Sequence, residues 1–250
     1  MKTFSISDTG LQREINEDFC FTSDNPVGNL PNLYIVADGM GGHKAGEYAS
    51  RYTVERVVAS ISRNPQTEPV LVMTEAIHLA NDMLQTESRN DETKRGMGTT
   101  IVIATIMDGT LYVANIGDSR LYIIDSSKKK AKQITRDHSL VGEMVRLGEM
   151  DEKEAKAHPD KNIITRAVGA FEKVEAEFFE VDLKPDQYVL MCSDGLTNMV
   201  GDEEMAGVVS GDGSIEEKCN QLVAAANANG GSDNITVVLH KPNLDEVKAC

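Results

Sequence analysis

Thr100-Ile101-Val102-Ile103-Ala104-Thr105-Ile106-Met107-Asp108-Gly109-Thr110-Leu111-Tyr112-Val113-Ala114-Asn115-Ile116 is the stretch on which the fold turns. Two β-branched, apolar runs flank Asp108-Gly109, and Asp-Gly between such runs is a strong signal for a tight hairpin turn. A third strand, about Ser119 to Ile124, follows Gly117-Asp118, so residues 99–125 read as all β. Upstream, Asn32-Leu33-Tyr34-Ile35-Val36-Ala37 is a short apolar run of the buried-strand kind. Two helices come next. One is marked by Ala45, Tyr48, Ala49, Tyr52, Val57, Val58 and Ile61, the other by Val70, Met73, Ile77, Ala80 and Leu84. Downstream, strands are expected at 176–182 and 187–192. Ser214 with Glu217 opens a C-terminal helix that ends at Gly230-Gly231, and Ile235 to His240 is the last strand. Strands at both ends with helices between them favour a layered α+β sandwich over a βαβ repeat. No strand leads into the glycine pattern that a Rossmann or P-loop fold requires.

Residues 137–170 are different in kind. They are charged and hold two short helical patterns, the second opened by Asp151 with Glu154 and stopped at Pro159. Lacking a strong apolar face, the segment reads as a surface flap at about 143–170. With no repeat or long linker, one domain over residues 1–242 is expected, followed by a short tail at 243–250.

The net charge of −15 works against nucleic acid or an anionic membrane as partner. No stretch approaches the roughly 20 apolar residues of a membrane span, and Met1-Lys2-Thr3-Phe4-Ser5 has no apolar signal core. A cytoplasmic protein without membrane insertion is therefore expected. Cys20, Cys192, Cys219 and Cys250 are far apart and lack zinc-type spacing, so buried reduced thiols are expected. A tyrosine-phosphatase loop needs an arginine six residues after its cysteine, and Asn198 stands there after Cys192.

Acidic residues recur at strand ends: Asp38 before Gly39, Asp118 after Gly117, Asp194 before Gly195, and Asp233 before the last strand. Asp-Gly alone can simply be a turn, and Asp108-Gly109 is one, because a strand resumes at once. Neither Asp38-Gly39 nor Asp194-Gly195 is followed that way. Together these residues suggest carboxylates converging at one end of a sheet. Such carboxylates repel one another unless cations intervene, and all-oxygen ligands select hard ions such as magnesium or manganese. Cations would also let an acidic protein bind a phosphorylated substrate.

These residues sit in recognisable stretches. They are Asp8-Thr9-Gly10-Leu11-Gln12-Arg13-Glu14-Ile15-Asn16-Glu17-Asp18, Ala37-Asp38-Gly39-Met40-Gly41-Gly42-His43, Gly96-Met97-Gly98-Thr99-Thr100, Gly117-Asp118-Ser119-Arg120, Asp137-His138-Ser139-Leu140-Val141, His158-Pro159 with Asn162-Ile163-Ile164-Thr165, Cys192-Ser193-Asp194-Gly195-Leu196-Thr197 and Gly230-Gly231-Ser232-Asp233-Asn234-Ile235-Thr236. In this order, over residues 7–240, the chain resembles the PPM family, the type 2C protein phosphatases, and in particular their compact bacterial branch. The resemblance implies a four-layer α/β/β/α sandwich with two central, mainly antiparallel sheets. It also implies a serine/threonine phosphatase in which a metal-bridged hydroxide attacks phosphorus in line, with no phosphoenzyme.

By the same resemblance two manganese or magnesium ions per subunit share Asp38. Asp194 and Asp233 complete one site, and Glu17 with the Gly39 carbonyl completes the other. A third, weaker ion takes Asp118 and Asp194. Asp18 holds outer waters, with Asn234 beside it, and Arg13 grips the phosphate. The implied partners are phosphorylated proteins and a membrane-anchored Ser/Thr kinase whose work the enzyme, as a monomer, reverses.

One departure concerns the general acid. Eukaryotic relatives often carry histidine directly after the Asp-Gly, whereas Met40 stands here and can donate no proton. Water on the third metal and His43 are the candidates. His138 and His158 are expected to position or pack the flap, and His78 to be structural. Ser193 has no evident histidine base, which argues against a serine hydrolase. Two alternatives differ in class, a catalytically inactive regulatory domain on this fold and a hydrolase of small phosphoesters. The intact Glu17, Asp38, Asp194 and Asp233 speak against the first.

Overall fold

Both faces of most central strands are apolar, and the structure shows why. The structure is a computed structural model that describes residues 2–42, 45–151, 154–155, 158–243 and 246–247. Three strands, β1 (Thr3–Asp8), β2 (Asp18–Ser23) and β3 (Leu33–Met40), precede two long helices, α1 (Ala45–Arg63) and α2 (Pro69–Asn90). Then come β4 (Gly98–Thr99), β5 (Ile101–Met107), β6 (Thr110–Ile116), β7 (Arg120–Asp125), β8 (Lys130–Gln133) and α3 (Leu140–Arg146). The chain closes with β9 (Glu177–Asp182), β10 (Gln187–Cys192), α4 (Asp194–Thr197), α5 (Asp202–Ser210), α6 (Ile215–Ala228) and β11 (Ile235–His240).

The strands form two sheets, ordered β1-β11-β10-β7-β8 and β2-β3-β5-β6-β9, with β4 added to β3. Their registered pairings are antiparallel. Successive strand residues point to opposite faces, and the burial follows that parity. Leu33, Ile35, Ile101 and Ile103 pack under α1 and α2. Tyr34, Val36 and Val102 meet Leu121, Val189 and Val238 of the other sheet. Tyr122, Leu190 and Val237 turn outward to Met205 of α5 and Leu222 of α6. Each sheet is thus covered on both faces, giving the expected α/β/β/α sandwich and the near-continuous apolar runs of its central strands.

The hairpin between β5 and β6 is tight. Asp108 and Gly109 both have positive φ, 52° and 75°, the requirement of the turn that matches strand twist. The α6 capping box is present: Ser214 Oγ accepts from Glu217 N–H, and the Glu217 carboxylate accepts from Ser214 N–H. Asp151 and Glu154 exchange the same pair of bonds. Cys192 and Cys219 are buried free thiols, Cys20 is half-buried, and Cys250 lies outside the described residues.

This topology gathers the acidic residues at one end of the sandwich. Asp18, at the start of β2, pairs in register with Asp38 near the end of β3. Ile101 pairs with Ile116, so the β6 end that leads to Asp118 lies alongside. The β10 end before Asp194 pairs with β7 and β11, and the β11 start after Asp233 pairs with Asp8.

Candidate active site

Backbone contacts set the carboxylates. Asp38 N–H donates to Thr100 Oγ1 at 2.9 Å, and its carbonyl accepts from Thr100 N–H and Thr99 Oγ1, both at 2.8 Å. Asp194 opens the four-residue α4, where Asn198 Nδ2 donates to its Oδ2 at 2.9 Å. A Cβ on Gly195 would lie 2.0 Å from the Asn234 carbonyl, so only glycine lets α4 close on the Asp233-Asn234 corner. Asn234 is the pin of the site. Its Oδ1 accepts from Glu17 N–H at 2.8 Å, and its Nδ2 donates to the carbonyls of Thr9 at 2.9 Å and Ile15 at 3.0 Å. That amide ties both ends of the loop carrying Arg13 and Glu17, whose Leu11 and Gln12 N–H groups also donate to the Gly231 carbonyl.

Glu17 meets Gly39 and the first turn of α1. A Cβ on Gly46 would stand 2.3 Å from Glu17 Oε1, and one on Gly39 would stand 2.0 Å from the Gly46 carbonyl. Gly46 was not singled out from the sequence. A glycine inside a helix start, costly for helix formation, is the signal that could have found it.

The electrostatics are those of crowded acids. Burial, with the charges of Asp194 and Asp233 adding to it, pushes Asp18 up to about 7 against the opposing hydrogen bonds of Ser193 and Thr236. Burial, then Asp194 and Asp137, pushes Asp118 up to about 8. Asp38 is raised well above the carboxylate range by burial and by Asp18, Asp194, Asp118 and Asp233. Burial and Asp233 raise Asp194, and burial raises Glu17.

Three buried carboxylate oxygens, Glu17 Oε1, Asp18 Oδ1 and Asp194 Oδ1, have no hydrogen-bond partner among the described residues. Other buried atoms in the fold are also unpaired, but these three lie on acids that repel one another, where a cation would satisfy them. Hard oxygen donors that repel one another and present orphaned oxygens fit divalent magnesium or manganese. Among the described residues no three His, Cys, Asp or Glu side chains converge closely enough to hold an ion as they stand.

The expected site residues fall as follows. Asp18, Asp38, Asp118, Asp194 and Asp233 share one electrostatic cluster, and Glu17 and Gly39 adjoin it. Arg13, expected on phosphate, here donates from Nη2 to Asp233 Oδ2 at 2.9 Å with its side chain half exposed. Ser193 Oγ donates to Asp18 Oδ2 at 2.6 Å and accepts from Thr236 N–H, so it orients a carboxylate, and among the described residues no histidine bonds to it. His43 lies outside the described residues. Among the described residues His158 makes local contacts, its Nδ1 accepting from Asp160 N–H and its backbone bonding Ala155 and Lys161, and His78 is exposed. From Asp118 and Asp194 a cleft of about 810 Å³ runs along residues 135–146 and 161–166. Lys161 Nζ reaches across to Asn198 Oδ1 at 3.3 Å.

Replacing Asn234 with alanine is expected to lower kcat/KM on p-nitrophenyl phosphate by about 10–100-fold, the usual cost of losing a residue that orients ligands. Activity within twofold of wild type would show that the 9–17 loop holds itself.

Comparison with known proteins bears on this cluster. The family model described as Protein phosphatase 2C matches residues 4–235. The serine/threonine phosphatase stp of Listeria welshimeri is 39% identical over 95% of this chain and 94% of its own. The protein phosphatase PhpP of Streptococcus pneumoniae is 37% identical over 99% of this chain and all of its own. The crystal structure of serine/threonine phosphatase Stp1 from Staphylococcus aureus superposes with a TM-score of 0.89 at 34% identity, covering 97% of this chain and 96% of that one. The match spans both sheets and every acidic strand end of the cluster, and this chain belongs to the protein phosphatase 2C family.

Proposed function

We propose that the chain hydrolyses phosphoserine and phosphothreonine in proteins with manganese or magnesium, two ions per subunit and a third, weaker one. Asp38, Asp194 and Asp233 would hold one ion, Glu17, Asp38 and the Gly39 carbonyl the second, and Asp118 with Asp194 the third. The observation that carries the reading is the set of orphaned oxygens on Glu17, Asp18 and Asp194 within a mutually repelling carboxylate cluster. When bound, the ions supply positive charge to phosphate oxygens and lower the pKa of water.

The chain's own residues do the rest. Arg13, half exposed beside Asp233, would offer its planar fork to phosphate. Asp18, held by Ser193 on one oxygen, keeps the other for outer waters. The cleft beside Asp118 and Asp194 has room for the peptide around a phosphorylated residue, which supports a protein substrate over a small phosphoester. The bacterial relatives named as Ser/Thr phosphatases support the same choice. Our reading extends to a monomer in the cytoplasm that reverses a membrane-anchored Ser/Thr kinase, the setting implied by the family resemblance.

The test sets phosphoserine, phosphothreonine and phosphotyrosine peptides side by side with Mn²⁺, Mg²⁺ or EDTA. Turnover is expected on the first two peptides with either metal and to stop with chelator. Metal-independent turnover, or preference for phosphotyrosine, would sink the reading.

A further inference from the structure

Asp118 sits on a connection that has little to hold it. Gly117, just before it, has φ 100°, and a Cβ there would lie 2.6 Å from the Thr100 side chain. The peptide is thus pressed against Thr100 in a conformation that favours glycine. Its backbone groups are buried and need partners. One residue 21 positions along the chain meets both: Gly117 N–H donates to His138 Nδ1 at 3.1 Å, and His138 N–H donates to the Gly117 carbonyl at 3.0 Å, which also accepts a longer 3.4 Å bond from Asn115 Nδ2. His138 is 3% exposed. Its Nδ1 accepts, so the ring carries its proton on Nε2, which faces Glu177 Oε2 at 3.5 Å.

We propose that His138 is a positioning residue that clamps Gly117 and so fixes the Asp118 carboxylate relative to the base of the 139–165 segment. On the far side of Asp118, Ser119 Oγ shares a 2.7 Å hydrogen bond with Thr100 Oγ1, the acceptor of Asp38 N–H. Asp118 is therefore held between His138 on one flank and the Asp38 support on the other. The His138 carbonyl accepts from Thr165 N–H at 2.8 Å, and the next residue, Ser139, bridges Ile164. His138 thus ties the segment that walls the cleft to the backbone that carries Asp118, alongside the Arg120–Asp137 ion pair two residues on.

The inference rests on Asp118 as a ligand of the weakest ion, so the test has a metal-free arm. Amide exchange of Gly117 is followed by NMR in the chelated chain for wild type, His138→Asn, His138→Gln and His138→Leu. Mn²⁺ binding to each is measured by calorimetry. Asparagine Oδ1 occupies the place of Nδ1, whereas the glutamine amide reaches the place of Nε2. His138→Gln and His138→Leu are expected to speed Gly117 exchange about tenfold, the scale of one lost buried hydrogen bond, and to weaken the weakest Mn²⁺ step. His138→Asn is expected to restore both. Unchanged Gly117 exchange in His138→Gln, or no restoration in His138→Asn, overturns the clamp. If His138→Leu does not fold, the asparagine and glutamine variants decide. A wild type that binds no Mn²⁺ overturns the reading of the site and leaves the exchange arm to judge the clamp.

Discussion

Asp194→Asn is expected to lower kcat by about 10³-fold or more while leaving the metal-free protein at least as thermally stable as wild type. The two halves have one cause. In the proposed scheme Asp194 serves two of the three ions, and a metal supplies several kcal/mol of transition-state stabilisation, each 1.36 kcal/mol being tenfold in rate. Asparagine keeps the shape, and its carbonyl oxygen can still accept from Asn198 Nδ2. What it loses is a charge that burial and Asp233 already disfavour. Removing that charge from the chelated fold relieves repulsion, so the melting temperature in EDTA should hold or rise above neutral pH. Turnover at saturating Mn²⁺ and melting in EDTA test the two halves separately. Near-normal turnover would show the ligand assignment to be wrong. A large drop in melting temperature would show that the carboxylate is a structural partner and not an unpaid charge.

Much of this site was legible before any coordinates, for a reason visible in particular residues. Asp108 and Asp118 both sit beside a glycine at a strand end. Asp108 closes a two-residue turn and its strand resumes at once, so local chemistry explains it fully. Asp38, Asp118 and Asp194 do not, and their neighbours in the fold come from other strands. The strong elements were readable because their strands are buried on both faces and their helices carry one apolar stripe. The sequence places no bounds on β1, β2, β4, β8, α4 or α5, and two of these show why. β8, Lys130-Ala131-Lys132-Gln133, is an edge strand, where lysines are favoured and apolar patterning is weak. α5 shows its start in Asp202, Glu203 and Glu204, acids that suit a helix N-terminus, but its apolar face is only Met205, Ala206 and Val209. The pairing of Arg13 with Asp233 spans 220 positions and belongs to the fold alone. So does the Gly39–Gly46–Glu17 approach, which depends on where α1 lands.

Chelated protein is expected to lose about 5–10 °C of melting temperature as pH rises from 6.5 to 8, and Mn²⁺ is expected to reverse the loss at pH 8. The folded state raises Asp18 to about 7 and Asp118 to about 8, against about 3.9 for an unfolded aspartate. Between those values the folded chain binds more protons than the unfolded one, so stability falls as pH rises. The contribution of these two groups is complete below the unfolded value and gone above the folded one. The window starts at 6.5 because burial lowers His138 in the folded state, and a depressed histidine costs stability at lower pH, in the opposite direction. Over this window the two aspartates amount to a few kcal/mol, and a domain of this size moves about 2–4 °C per kcal/mol. Melting curves in EDTA and in Mn²⁺ across the window are the measurement. A flat or rising EDTA curve would mean that the carboxylates are already compensated inside the fold, removing the electrostatic reason for a metal. The same protons that quiet the repulsion also occupy the ligand oxygens. Metal should therefore stabilise least at pH 6.5, where the chelated fold is most secure, and most at pH 8, where more of the charge it must neutralise has developed.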